Sequence, residues 1–411
     1  MNSIKKITNY VFDRYKVIDR VAFFINEEYI FDHYQNVMIE MENDKFDIIL
    51  ANKFKSSSYD NILYGLKNNS WNVRFLDDVI FINKYRVLVT HLYLGGEDTL
   101  KGTVATRLII FLLKSMNKVL SVIKINKYFS TNEQYFQNIL GQYNIRFMYG
   151  ADAGENSFTE YGNNYNNLFD MFFCHGPRDG EMVKKIFNKP VYQMGYPRYD
   201  NFFRKKDDTV HKKILQEKYS CKSSKKTILW ISTVNKHFST IESYSPIMKT
   251  IAKDYNVIVR PHPLEIDPQY GRFNQKVLDI VNSEMFILNE NAYQDMTELY
   301  LIADFVMCDY GGSIFSALYM NKKIILLNNE NIYKDLVVST STSMEVRKYL
   351  FSINENETER LVNYLENEAI WKSVDTVKCR KLYFGSLSPH SAKDASNNIS
   401  KILNSVQAKM H

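Results

Sequence analysis

The chain has 411 residues, of which 45% are hydrophobic and 24% charged, with a formal net charge of +6. This composition fits a globular protein of roughly two or three domains at ~150 residues each, and excludes a disordered chain, a coiled coil and a collagen-like repeat. The positive charge is mild: it suits an anionic small substrate or an anionic membrane face, and is too diffuse to indicate nucleic acid. The four cysteines, at 174, 221, 308 and 379, form no C-x-x-C pair, so neither a disulfide framework nor a zinc ribbon is expected, and a reducing cytoplasm fits. Cys174 and Cys308 end apolar runs and read as small buried strand residues.

In chain order, Met1 to Arg20 is basic (Lys5, Lys6, Arg14, Lys16, Arg20) and lacks the apolar core of a signal peptide. Short apolar runs follow at Val21–Ile25, Phe46–Leu50, Val73–Leu76, Val79–Ile82, Arg86–Thr90, Ile145–Met148 and Met171–Cys174. Runs apolar along their whole length predict strands of a parallel sheet covered on both faces. Helical patterns lie at Tyr29–Met41 and Asn132–Tyr143. Val104–Ile125 is the most hydrophobic window, but Arg107, Lys114 and Lys118 interrupt it. It reads as a helix packed on a core, or one touching a membrane surface, rather than a spanning helix.

The second half alternates more cleanly. Strands are predicted at Thr227–Ser232, Asn256–Arg260, Met285–Leu288, Asp304–Cys308 and Lys323–Leu327. Helices are predicted at Ile241–Asp254, Phe273–Ser283, Gln294–Ala303, Ser313–Met320, Glu355–Glu368 and Ser391–Ala408. This is the pattern of a doubly wound α/β fold. The charged stretch Arg204–His211 marks a linker, extended to residues 204–225. The organisation expected is an N-terminal Rossmann-like domain (1–203), a linker region, a C-terminal Rossmann-like domain (226–388) and a final helix (389–411), with a ligand-binding cleft between the two domains.

Four segments carry candidate chemistry. Asp309-Tyr310-Gly311-Gly312-Ser313 follows a buried strand and opens a helix. Two glycines allow close approach of a phosphate to free N–H groups at the helix start; the same residues also make a tight turn with a capped helix. Arg260-Pro261-His262-Pro263 ends a strand in a proline-stiffened turn, where Arg260 and a protonated His262 can bond phosphate oxygens. Gly195-Tyr196-Pro197-Arg198-Tyr199-Asp200 reads as a rigid turn, with Arg198 and Asp200 salt-bridged or facing the cleft. Ser232 and Thr233 end the first strand of the second half and offer hydroxyl and N–H groups.

Together GYPRYD (195–200), ILWIST (228–233), VRPHP (259–263) and DMTELYLIADFVMCDYGGS (295–313) resemble, in order and spacing, the CDP-glycerol glycerophosphotransferases of teichoic-acid-type polymer synthesis. The resemblance covers about residues 190–330. It implies a GT-B fold, a CDP-activated donor held by the second half, a glycan or lipid-linked acceptor, and no metal or other cofactor. A cytoplasmic protein is expected, and because such acceptors are often lipid-linked, the inner face of the membrane is a candidate surface.

Two departures stand out. The family's Asp-Tyr-Ser-Ser loop is here Asp309-Tyr310-Gly311-Gly312-Ser313, and Tyr149, before Gly150, stands where the family has a His-Gly whose histidine is taken as the base. Asp152 and Glu155 on the following Gly-rich turn are candidate bases, since a carboxylate in a cleft can be tuned toward neutrality. His91 and His33 are further candidates. The leading expectation is glycerol phosphate transfer. Two rivals are transfer from a nucleotide sugar, as in capsule, teichoic acid or lipopolysaccharide synthesis, and a nucleotide-binding scaffold without turnover.

Overall fold

The computed structural model describes residues 15–55, 62, 65–66, 69–80, 82–92, 94, 137–150, 164–234, 239–266, 268, 272–288, 296–331, 339, 341–385 and 388–408. Their strands form two all-parallel sheets. The first holds β1 (Lys16–Ile25), β2 (Phe46–Leu50), β3 (Val73–Phe75), β4 (Asn83–Thr90), β5 (Gly141–Phe147), β6 (Met171–Cys174) and β7 (Val191–Gln193). The second holds β8 (Thr227–Ile231), β9 (Asn256–Arg260), β10 (Ile287–Leu288), β11 (Phe305–Cys308), β12 (Lys323–Leu327) and β13 (Phe351–Ile353). Every residue of β2, β8 and β9 is buried, as helices on both faces of a sheet require.

The orders are β3-β2-β1-β4-β5-β6-β7 and β10-β9-β8-β11-β12-β13. Each reverses beside its first strand. Each sheet therefore has a switch point, between β1 and β4 or between β8 and β11, where a crevice opens beyond the strands' carboxyl ends.

The helices that shape the site are α1 (Glu28–Ile39), α2 (Pro177–Phe187), α3 (Asp200–Lys205), α4 (Thr209–Lys218), α5 (Ile241–Ile251), α6 (Gly312–Tyr319), α7 (Thr342–Glu345), α8 (Thr376–Phe384) and α9 (Ser391–Ala408). α1 lays Ile30, Phe31, Tyr34, Val37 and Met38 into the first core, one apolar stripe at helical spacing. α9 follows the second sheet in the chain, yet its stripe of Ala392, Ala395, Ile399 and Leu403 is buried in the core of the first.

The bend between the lobes is the GYPRYD segment. Gly195 holds a φ of 69°, a conformation that costs an L side chain strain, and a Cβ there would stand 2.6 Å from Ser391 Oγ. Asn36 Nδ2 on α1 donates to the carbonyls of Pro197 (2.9 Å) and Arg198 (3.1 Å). The bend is thereby pinned to α1 on one side and to the start of α9 on the other.

Several local expectations change. Val79, expected to open a strand over Val79–Ile82, instead closes the helical turn Leu76–Val79. The helix expected over Asn132–Tyr143 is observed at Gln137–Leu140, and Gly141 already pairs with Tyr85 in β5. β13 was not foreseen. The stretch expected as a linker is largely helical, with α4 burying Leu215 in the second core. Arg20, at the end of the basic N-terminal segment, pairs with buried Asp47 at 2.7 Å. Val104–Ile125, Lys5, Lys6 and Arg14 lie outside the described residues. Among the described residues no helix is long and apolar enough to cross a membrane.

Candidate active site

Three strand ends build the crevice of the second sheet. β9 and β11 flank β8, so their ends stand roughly 10 Å apart at ordinary strand spacing. Beyond β11 the Asp309 carboxylate turns inward and is fully buried. It accepts hydrogen bonds from Ser232 Oγ (3.1 Å), the N–H of Thr233 (2.8 Å), the N–H and Oγ1 of Thr240 (3.2 and 3.0 Å) and the N–H of Tyr310 (2.8 Å). Burial raises its pKa, while these donors pull it down. One carboxylate thus fastens the end of β8, the start of α5 and the end of β11.

Asp309, Ser232 and Thr233, expected among the donor contacts, therefore serve as the frame of the loop. Tyr310 does the same: its ring is buried beneath the Arg347 guanidinium at 4.4 Å, and its hydroxyl accepts from the N–H of Asn329 (3.3 Å).

Gly311 has a φ of 81°, and its N–H donates to Ser343 Oγ (3.1 Å). Arg347, four residues beyond Ser343, donates to the carbonyls of Asp309 and of Leu327 (3.4 Å). α7 and the turn after it so hold the diglycine segment from behind. Ser313 Oγ bonds back to the Tyr310 carbonyl (3.3 Å). At Gly312, the first residue of α6, an added Cβ would meet nothing within 4 Å. Open space thus stands beside the positive end of α6, where an anionic group is stabilised.

Arg260 is buried at the end of β9. Two residues on, the N–H of Leu264 donates to His262 Nδ1 (3.2 Å), which leaves Nε2 to carry the ring proton. Burial first, then the charges of Arg272 and Arg260, bring the His262 pKa down to about 4. At neutral pH it is an uncharged N–H donor, not the protonated imidazole that the sequence suggested.

The first sheet presents an aromatic and histidine cluster at its carboxyl edge. The Tyr149 ring is 42% exposed and lies against Tyr29 (5.9 Å between centroids), His33 (5.8 Å) and His91 (5.4 Å). His91 and His33 are buried, and burial is the main cause of their lowered pKa values, to about 3 for His91. Arg198, an acceptor-side candidate, donates to His33 Nε2 (3.2 Å) and pairs with Asp32 (3.4 Å). Gly150 follows Tyr149 at the edge of the described segment. Asp152 and Glu155 lie outside the described residues.

The sequence reading missed His175, Arg347 and Tyr29. His175 directly follows β6 and precedes Gly176; its Nδ1–H donates to the Gly195 carbonyl (2.9 Å), and its ring packs on Tyr196 at 4.1 Å. A histidine after an apolar strand end was the available signal. Arg347 and Tyr29 carried none, because their partners lie far along the chain.

Comparison with known proteins accords with this architecture. The family described as CDP-Glycerol:Poly(glycerophosphate) glycerophosphotransferase matches residues 150–403. A teichoic acid poly(glycerol phosphate) polymerase of Staphylococcus epidermidis is 25% identical over 171 residues, 38% of this chain and 22% of that protein. The chain thus matches under a quarter of that relative's length. The structure of a histidine variant of the wall teichoic acid polymerase TagF, soaked with CDPG, superposes with a TM-score of 0.61 at 14% identity, over 98% of this chain and 97% of that one. A UDP-GlcNAc 2-epimerase from Neisseria meningitidis bound to UDP-GlcNAc superposes with a TM-score of 0.53 at 14% identity, over 94% of this chain and all of that one. The shared architecture is of GT-B type.

Proposed function

From the premise that the chain belongs to the CDP-glycerol:poly(glycerophosphate) glycerophosphotransferase family, we propose that it transfers glycerol phosphate from CDP-glycerol to a hydroxyl of a cell-envelope glycan or lipid-linked acceptor. The observation that carries this reading is the open space beside Gly312 at the switch point of the second sheet, two strands from His262. The donor diphosphate would lie there. The first turn of α6 would face it from one side and the Nε2–H of His262 from the other.

In the step itself, the acceptor oxygen attacks the phosphorus bearing glycerol. The bond from that phosphorus to the bridging oxygen breaks, and its electron pair leaves with CMP. The acceptor proton passes to a base on the first lobe. Positioning and stabilisation of charge on the leaving phosphate supply the acceleration. Candidate bases are Asp152, Glu155, His91 and His33. As buried imidazoles of low pKa, the two histidines gain basicity only when a bound anion or an opened site offsets their desolvation.

The step uses only the chain's own groups and needs no metal, so CMP release should survive EDTA. A place on the inner face of the membrane, beside a lipid-linked acceptor, belongs to the same proposal. Incubation with CDP-glycerol and an acceptor panel tests the reading: CMP is the expected product. Release of UDP or GDP from a nucleotide sugar instead would favour a glycosyltransferase on the same fold.

A further inference from the structure

Among the described residues only two aromatic side chains are exposed, Tyr29 at 38% and Tyr149 at 42%. They are neighbours, with ring centroids 5.9 Å apart and ring planes tilted by 49°. They come from different elements, α1 and the segment after β5, and meet at the carboxyl edge of the first sheet, beside its switch point. Elsewhere the described aromatics are buried or half-buried. A solvent-facing pair of rings at the mouth of an α/β crevice is the feature a ligand surface needs.

The charges around the pair indicate which ligand. Lys53 is paired with Glu27 at 2.5 Å, and Arg198 with Asp32 at 3.4 Å. Both pairs lie within electrostatic reach of the cluster: Glu27 acts on Tyr29, Lys53 on His91 and Arg198 on His33. Lys53 and Arg198 are therefore each matched by a carboxylate, and Arg146, which also acts on His91, is buried and donates to the His91 carbonyl and to Asn166. A phosphate group would have to compete with those carboxylates, whereas an uncharged ring would not. Below the rings, His91 is 1% exposed, touches both tyrosines, and neither of its ring nitrogens has a hydrogen-bond partner among the described residues. A polar group so placed favours a ligand that brings hydroxyls.

We infer that Tyr29 and Tyr149 form a stacking platform for an uncharged sugar ring of the acceptor. The apolar C–H face of the ring lies on the tyrosine faces, whose negative quadrupole suits it. This rests on the transferase reading, and it narrows the acceptor group at this lobe to a sugar rather than a phosphorylated acyclic alcohol.

Saturation-transfer NMR on the full chain tests it, with methyl β-glucopyranoside, N-acetylglucosamine and glycerol 3-phosphate as probes. Saturation should reach the sugar ring protons in the natural protein and in Tyr149→Phe. It should fall about tenfold in Tyr29→Ala and Tyr149→Ala, with unchanged circular dichroism. Sugar signals that persist in both alanine variants, or that are absent from the natural protein, overturn the inference. So does a glycerol 3-phosphate signal abolished by Tyr149→Ala. CMP release from CDP-glycerol, followed in parallel, separates the two claims: sugar binding without CMP release sinks the transferase reading alone, and CMP release without sugar binding sinks the platform alone.

Discussion

The carboxylate of Asp200 accepts a hydrogen bond from the backbone N–H of Ala392 at 2.8 Å, across 192 residues of chain. It ties the bend between the lobes to the first turn of α9, the helix that returns to the first core. Asp200 is fully buried, and burial, against the pull of its backbone donors, raises its pKa to about 7. An acid raised above its unfolded value of ~3.9 holds a proton in the folded state that the unfolded chain has released. Its contribution to stability is present below about pH 4 and is lost as pH rises toward 7. Asp200→Asn keeps an acceptor for Ala392 and cannot ionise. Its melting temperature relative to the natural protein should rise between pH 5 and pH 8; a difference independent of pH would contradict this.

Asp309 is also a buried carboxylate, with a donor on nearly every side. Asp309→Ala strands those donors, and at about 1–3 kcal/mol for each buried group left unsatisfied the loss should be at least 3 kcal/mol. Chemical denaturation measures it. A loss below about 1 kcal/mol would mean that the carboxylate does not organise the loop.

His262→Ala should lower kcat by about 10²–10³-fold if its Nε2–H stabilises charge on the leaving group, with little change in melting temperature because the ring is only half-buried. With a pKa of about 4 in the free protein, it should add no limb to the kcat/KM profile between pH 6 and 8. Steady-state kinetics over that range checks both statements.

The sequence was most legible where burial is continuous. Asn256–Arg260 and Lys323–Leu327 appear as strands with the bounds their apolar runs suggested. It misled where an apolar run had another use: Val79 closes a helical turn begun at Leu76, and Ile80 is buried without joining a sheet. Phe351–Ile353 escaped notice because three residues with a central serine carry no periodicity. The donor loop was visible as glycines before a helix, but the role of Asp309 depended on Ser232, Thr233 and Thr240, about 70 residues upstream. Nothing local in the sequence distinguishes an acid facing a ligand from one holding three elements together. The same holds for Tyr149, whose neighbours Tyr29, His33 and His91 gather only once the first sheet has formed.

The return of α9 to the first core sets another expectation. Ile399→Ala and Leu403→Ala each empty a buried site on its apolar stripe, and each should cost about 2–5 kcal/mol. If α9 packs as described, thermal melts of both variants fall well below that of the natural protein. A melt unchanged in both would place the helix elsewhere.

Gly312 offers the sharpest test of the donor site. A Cβ added there meets nothing within 4 Å, so Gly312→Leu, whose side chain starts into that open space, should fold and melt like the natural protein. The same side chain would occupy the space assigned to the donor diphosphate. Calorimetric titration with CDP-glycerol should therefore show binding to the natural protein and a loss of at least about tenfold, ~1.4 kcal/mol, in Gly312→Leu. Equal affinity for both proteins, or no binding to either, would contradict the account.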